Sequence, residues 1–137
     1  MRGLIGKKIG MTQVYNDQGV MIPVTVIEAG PCVVTQVKTE HTDGYDAIQI
    51  GYGERKKKHY NKALNGHFKK AGSGRMRFLA EFSPIPKYKY ETGQKFGVSL
   101  FKKGECVDIS GTSKGRGFSG VMKRHGFGGG PKTHGQR

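Results

Sequence analysis

A glycine-rich segment near the end of the chain carries the pattern G-x-G-x-x-G at Gly115, Gly117 and Gly120, within "GTSKGRGFSG" (residues 111–120). The pattern follows an apparent strand at residues 106–110, and Lys114 and Arg116 lie among its glycines. Glycines let backbone N–H groups approach a phosphate closely, and the cations neutralise its charge. The segment therefore predicts phosphate binding, either of a dinucleotide in an oxidoreductase or of a larger polyanion.

The dinucleotide interpretation requires more than this loop provides. A Rossmann fingerprint continues into a helix, a second parallel strand and an acidic residue about 20 positions further on. Residues 121–137 contain no acid and no hydrophobic second strand, and the P-loop pattern G-x-x-x-x-G-K-[ST] is absent. A nucleotide-dependent enzyme is therefore disfavoured. A solvated glycine loop is the remaining alternative to a polyanion site.

The charge distribution favours the polyanion. The 137 residues carry a net charge of +14, which places nucleic acid first among the partners. Residues 55–77 contain nine Lys and Arg and no acid, and residues 111–137 contain six Lys and Arg and no acid. The remaining residues contain nine Lys and Arg and ten Asp and Glu. The chain is thus predicted to be a nearly neutral body with two basic segments, which we call the basic insertion (55–77) and the basic arm (111–137).

Cysteine and histidine give no sign of catalysis or of a metal site. Cys32 and Cys106 form no C-x-x-C pair and are predicted to be core residues in a reducing compartment. Although Cys106 and His125 are a Cys/His pair near in sequence, Cys106 lies in an apolar strand pattern. The five histidines lack metal-ligand spacing, and are interpreted as auxiliary phosphate contacts or surface residues. Without a membrane helix or a targeting signal, the cytoplasm is expected.

The body is predicted to be mainly β. Apolar residues alternate with others at residues 21–28, 48–52, 76–82 and 96–100, and residues 32–38 are rich in β-branched residues. A period of two predicts strands with one buried face, and turn signals at 16–19, 43–44 and 91–93 separate them. Several short strands at this spacing suggest a small barrel or sandwich.

Short helices are expected in the two basic segments. In residues 61–72, Leu64, Phe68 and Ala71 fall on one helical face, with Gly72 as a stop. A second helix is expected around residues 118–125, ending at Gly126. From there the chain has too few apolar residues to bury itself, so it should be extended or disordered unless a partner holds it.

The residues resemble one family. The stretches "GLIGKKIGMTQVYNDQGVMIPVTVIEAG", "GHFKKAG" and above all "VDISGTSKGRGFSGVMKRHGFGGGPKTHG" are similar to those of bacterial large-subunit ribosomal protein L-three, the universal large-subunit protein three. The similarity covers the whole chain and the last stretch is highly specific. It implies a small β-barrel of the translation-protein type in residues 1–110, with a short α-containing basic insertion, followed by a long irregular extension.

The resemblance also implies a function without catalysis, small-molecule substrate, metal or cofactor. Members bind large-subunit rRNA of the 23S type and neighbouring large-subunit proteins, act early in subunit assembly, and direct the extension toward the peptidyl transferase centre. Because members continue through a return arm and further strands, we expect this chain to correspond to about the N-terminal two thirds and its barrel to be open. A general RNA chaperone is the alternative function.

The expected RNA contacts lie in both basic segments. Those in the insertion are inferred from their charge, and those in the arm are carried over by position from the family resemblance. Phe118 and Phe127 are expected to stack on bases or on neighbouring apolar groups. The full set is Arg55, Lys56, Lys57, Lys58, His59, Lys62, His67, Lys69, Lys70, Arg75, Thr112, Ser113, Lys114, Gly115, Arg116, Gly117, Phe118, Lys123, Arg124, His125, Phe127, Lys132, His134 and Arg137.

Overall fold

A computed structural model describes residues 3–56, 61–131 and 133–134. The chain divides into two compact units, Met1–Gly104 and Glu105–Arg137. The first unit contains every strand, and the second contains one short helix. A mainly β fold is thereby confirmed, whereas the division of function between a body and an arm stays a prediction.

The first two strands, β1 (Gly6–Tyr15) and β2 (Met21–Ala29), form an antiparallel hairpin. Its turn forms because the Oδ1 atom of Asn16 accepts hydrogen bonds from the backbone N–H groups of Gln18 and Val20, at 3.0 and 2.8 Å. The predicted strand at 21–28 is confirmed, but its predicted buried face is wrong, since Ile22 and Val26 are exposed. Within the described residues this hairpin pairs with no further strand.

Four strands form the second sheet in the order β5-β4-β3-β6, and all neighbours are antiparallel. They are β3 (Cys32–Lys38), β4 (Ala47–Glu54), β5 (Met76–Phe82) and β6 (Lys95–Phe96). The first three match their sequence predictions closely. Cys32, Val34, Ile48 and Ile50 are fully buried and make this sheet the centre of the core. Burial raises the pKa of the Cys32 thiol, which donates a hydrogen bond to the Ile5 carbonyl at 3.3 Å.

Two strand predictions are wrong. Beyond Phe96 the chain forms a 3-10 turn, Val98–Leu100, instead of continuing the strand; Val98 is exposed, so the alternation there does not mark a buried face. Residues 106–110 form no strand, and Cys106 is exposed instead of buried in the core. In the described part of the chain no neighbouring strand pairs with residues 106–110, so their apolar alternation lacks the partner that a strand needs.

Three α-helices complete the described secondary structure: α1 (Glu40–Asp43), α2 (Lys62–Lys70) and α3 (Val121–His125). The predicted helix in residues 61–72 is confirmed as α2. The helix expected around 118–125 is confined to α3, and it ends at Gly126, whose φ is 70°. The strands of the described residues do not close into a barrel. None of the helices in these ranges has the length and apolarity required to cross a bilayer.

Candidate nucleic-acid interface

Helix α2 presents the cations of the basic insertion. The helix begins at a capped end, since Asn61 Oδ1 accepts a hydrogen bond from the Leu64 backbone N–H at 2.8 Å. Phe68, 2% exposed, packs in a cluster with Val33 and Met76 and holds the apolar face of α2 in the core. The opposite face is therefore turned to solvent, where Lys62, Lys69 and Lys70 are exposed.

A row of polar contacts joins α2 to the sheet. His67 Nε2 lies 2.8 Å from the Oε1 atom of Gln49, which also accepts a hydrogen bond from Thr35 Oγ1 at 2.9 Å. Gln49 Nε2 donates to Glu81 Oε1 at 3.2 Å. Because the amide oxygen accepts on one side while its nitrogen donates on the other, His67 acts as the donor. His67 thus helps to position α2, and its expected role as an RNA contact stays a prediction.

The row ends in an ion pair on the sheet surface. Lys38 Nζ lies 2.8 Å from Glu81 Oε1 and donates to the Tyr45 hydroxyl at 2.6 Å, and that hydroxyl donates to Glu81 Oε2 at 2.8 Å. The hydrogen bond from Lys38 is the main cause that lowers the pKa of Glu81, and the same bond raises the pKa of Lys38. Glu81 is the first acidic residue after the basic insertion, and it is therefore paired with Lys38.

The end of strands β4 and β5 places further cations close together. The Arg55 backbone N–H donates to the Arg75 carbonyl at 3.0 Å, which extends the strand pairing. Arg75 Nε donates to Asn65 Oδ1 of α2 at 2.8 Å. A cavity of about 530 Å³ opens at this end, lined by Glu54, Arg55, Lys56, Arg77 and Phe78.

Sequence reasoning missed three of these cavity residues: Glu54, Arg77 and Phe78. The Arg77 guanidinium carbon lies 5.1 Å from the centre of the Phe78 ring, and Phe78 is 50% exposed. The available signal was an Arg-aromatic pair at the end of an acid-free run. The strand alternation concealed that signal, because Phe78 occupies a position expected to be buried.

A second cavity, of about 390 Å³, lies between β3, α1 and α2. Its lining is mixed: Thr35, Gln36, Val37, Thr42, Asp43, His67, Lys70 and Thr92. In the described ranges no group of three or more His, Cys, Asp and Glu side chains could hold a metal ion.

The basic arm has a different local structure. Lys114, Arg116, Lys123 and Arg124 are exposed and, among the described residues, form no ion pair or side-chain hydrogen bond. Phe118 is fully exposed, and the rings of His125 and Phe127 lie 5.8 Å apart. Apart from α3, the described part of the arm is irregular, and Thr112, Ser113 and Gly115 are also exposed.

Three glycines of the arm are not explained by local packing. Gly117 has a φ of +66°, a conformation that favours glycine. At Gly111, Gly115 and Gly120, however, an added Cβ would meet no atom within 4 Å. The absence of a side chain at these three positions is therefore not required by contacts within the described chain.

The predicted contact residues fall into two separate groups. The first compact unit holds Arg55, Lys56, Lys62, His67, Lys69, Lys70 and Arg75, and the second holds those from Thr112 to Phe127 together with His134. All are exposed except His67, which is partly buried. Lys57, Lys58, His59, Lys132 and Arg137 lie outside the described residues.

Comparison with known proteins defines the class. The chain is 54% identical over 117 residues to a protein of Desulfatibacillum aliphaticivorans, and 50% identical over 119 residues to one of Corynebacterium urealyticum. Both relatives are named large ribosomal subunit protein uL3. These alignments cover 85% and 87% of this chain, but 56% and 55% of the relatives. The class is therefore that of ribosomal proteins of the large subunit, and not of enzymes.

The particular family follows from a second match. Residues 81–137 match the family model described as ribosomal protein L3. The chain belongs to the ribosomal protein L3 family and spans about half the length of the curated relatives that it matches. The family resemblance seen in the sequence is thus confirmed.

Proposed function

We propose that this chain is a structural component of the large ribosomal subunit that binds 23S-type rRNA directly through its basic insertion and basic arm. One observation carries the proposal. In its described residues, the arm combines exposed, unpaired cations with glycines, namely Gly111, Gly115 and Gly120, that contacts within the described chain do not require. Such a segment suits close approach to a phosphate backbone, because each absent side chain lets the backbone enter a narrow space.

The family supports the finer parts of the proposal. The two sheets would belong to a translation-protein-type barrel, with residues 1–110 as the body and 111–137 as the extension directed toward the peptidyl transferase centre. The protein would act in the cytoplasm, early in subunit assembly, beside neighbouring large-subunit proteins. The body would anchor the protein by shape, and the two basic segments would release counterions from the RNA.

The salt dependence of binding tests this proposal. Filter binding of the full chain to large-subunit rRNA fragments should weaken by about 10³- to 10⁵-fold between 50 and 200 mM salt if six to ten phosphates are contacted. Replacing Lys114, Arg116, Lys123 and Arg124 by Gln should lower the slope of log affinity against log salt by about 3 to 4. A flat salt dependence of the wild-type chain would refute the proposal.

A general RNA chaperone is the second candidate, because exposed cations and aromatic rings bind single strands as well as folded RNA. It predicts equal affinity for unstructured RNA, for DNA and for folded rRNA at the same salt concentration. The structural role predicts a preference for folded rRNA, so competition binding with the three nucleic acids separates the two functions.

A further inference from the structure

We propose that the cavity at the end of β4 and β5 binds one unpaired nucleotide of an RNA. The base would stack beside Phe78, and its phosphates would contact Arg55, Lys56 and Arg77. This inference rests on the proposed function, since it names the RNA element that one part of the body takes. The cavity is an open depression of the surface, and its lining combines three cations, one carboxylate and one aromatic ring.

Phe78 is placed to offer a stacking surface. It lies on β5, which is the edge strand of the sheet, opposite Tyr52 of β4. The two side chains share one face of the sheet, yet Tyr52 is 8% exposed and Phe78 is 50% exposed. An aromatic ring half open to solvent and beside a cation-lined cavity is the arrangement on which unpaired bases stack.

The guanidinium of Arg77 restrains this ring. At 5.1 Å from the ring centre, its charge interacts with the π-system of Phe78. Gly53, between the strand positions paired with Phe78 and Met76, lies opposite Arg77: its φ of +70° favours glycine, and a Cβ there would be in ordinary contact with the Arg77 Cβ, at 3.7 Å. A planar guanidinium beside an aromatic ring lets a base stack on either group while the charge faces the phosphate.

Glu54 gives the cavity a preference among bases. Its carboxylate can only accept hydrogen bonds, and it lies among three cations. Cytosine, adenine and guanine each carry an exocyclic amino group that donates to a carboxylate. Uracil has no exocyclic amino group, and it could offer the carboxylate only its N3–H, which is flanked by two carbonyl oxygens. The cavity should therefore favour cytidine, adenosine or guanosine over uridine.

The same features favour RNA over an acidic protein segment. An acidic peptide would place its carboxylates beside the three cations, but a carboxylate offers Glu54 no hydrogen-bond donor. It would also leave the exposed part of the Phe78 ring without a planar partner. A nucleotide matches all three features of the cavity: its charge, its aromatic surface and its acceptor.

Tryptophan fluorescence tests the site directly, because the chain contains no Trp. The variant Phe78→Trp places a single reporter in the cavity, and Tyr88→Trp provides the control at another exposed aromatic position that does not line it. Short oligocytidine and oligoadenosine should quench Phe78→Trp fluorescence and bind at least about fivefold more tightly than oligouridine. The fluorescence of Tyr88→Trp should not respond.

Further variants test the roles of the individual residues. Adding Glu54→Gln to the reporter should reduce the discrimination against oligouridine, while Phe78→Ala in the wild-type chain should weaken oligocytidine binding by roughly 5- to 150-fold. Phe78→Leu, which keeps the apolar bulk, should weaken binding similarly, whereas Tyr88→Ala should not. Circular dichroism of each variant shows whether the fold is retained.

The outcomes separate this site from the wider proposal. Normal salt-dependent rRNA binding without quenching of Phe78→Trp would overturn the nucleotide site and leave the proposed function standing. If the affinity for rRNA does not change with salt concentration, the result refutes the proposed function itself. Polyglutamate that competes as well as an RNA of equal charge would show a simple anion surface, and would also overturn the nucleotide site.

Discussion

The four-stranded sheet with α2 and the basic arm both expose cations, but only the first fixes them by contacts within the chain. On the sheet side, Phe68 anchors α2 and the row from His67 through Gln49 reaches Glu81. In the arm, the described cations have no internal partners, and all residues of α3 are exposed. The comparison indicates that the fold fixes the cations near the sheet, whereas a bound partner would fix those of the arm.

The largest expected difference between the two regions is in stability. Ile50→Ala, at a fully buried position of β4, should lower the free energy of unfolding by about 2 to 5 kcal/mol, because it leaves a cavity in the core. Ile109→Ala, the same change at a 70% exposed position in the second unit, should change it by less than about 0.5 kcal/mol. Urea unfolding followed by circular dichroism measures both. Equal losses of unfolding free energy in the two variants would contradict the difference between the two regions.

A smaller effect is expected from the polar row. Gln49→Leu removes the acceptor of His67 and Thr35 and the donor to Glu81. Leaving such partners unsatisfied costs about 1 to 3 kcal/mol in unfolding free energy. Amide exchange in α2 should also become faster.

Gln13→Leu is the matched control for that change, since Gln13 is exposed on β1 and outside the row. If Gln13→Leu lowers the unfolding free energy as much as Gln49→Leu, or if α2 exchange is unchanged in Gln49→Leu, the row does not position α2.

The smallest effect concerns pH. Because the folded-state pKa of Glu81 is lowered, its contribution to stability is present above the unfolded pKa, about 4.3, and is lost as pH falls through the lower folded value. Glu81→Gln should therefore flatten the decline in unfolding free energy below about pH 5. Urea unfolding from pH 7 to pH 3 measures this, with Glu91→Gln as the reference for removing one carboxylate elsewhere. A decline as steep as in the wild type would show that the Lys38 contact does not couple to folding.

The sequence predicted what depends on local pattern. The β-branched run of β3, the alternation in β4 and β5, and the apolar spacing around α2 each located an element, because apolar residues repeat at the period of the element. The buried face of β5 was predicted less well, since Phe78 is 50% exposed. The same alternation failed at residues 106–110 and beyond Phe96. A strand also needs a neighbour, and pairing between distant residues is not visible in a local window.

The candidate site was predictable in its charge and not in its geometry. The acid-free runs located the basic insertion and the arm. The contact between His67 and Gln49 joins residues 18 positions apart, and that between Gln49 and Glu81 joins residues 32 apart. Such contacts, like the cavity that residues near the paired ends of β4 and β5 line together, arise only when the register of the sheet is set.

Hydrogen exchange of the full chain with and without a large-subunit rRNA fragment tests most directly whether the fold or the partner orders each region. The account predicts that the amides of β3 to β5 are protected in both states. The amides of α3 should exchange rapidly in the free chain, because a five-residue exposed helix is marginal alone, and should become protected on RNA. Protection of α3 without RNA, or no gain of protection when RNA binds, would contradict the central claim.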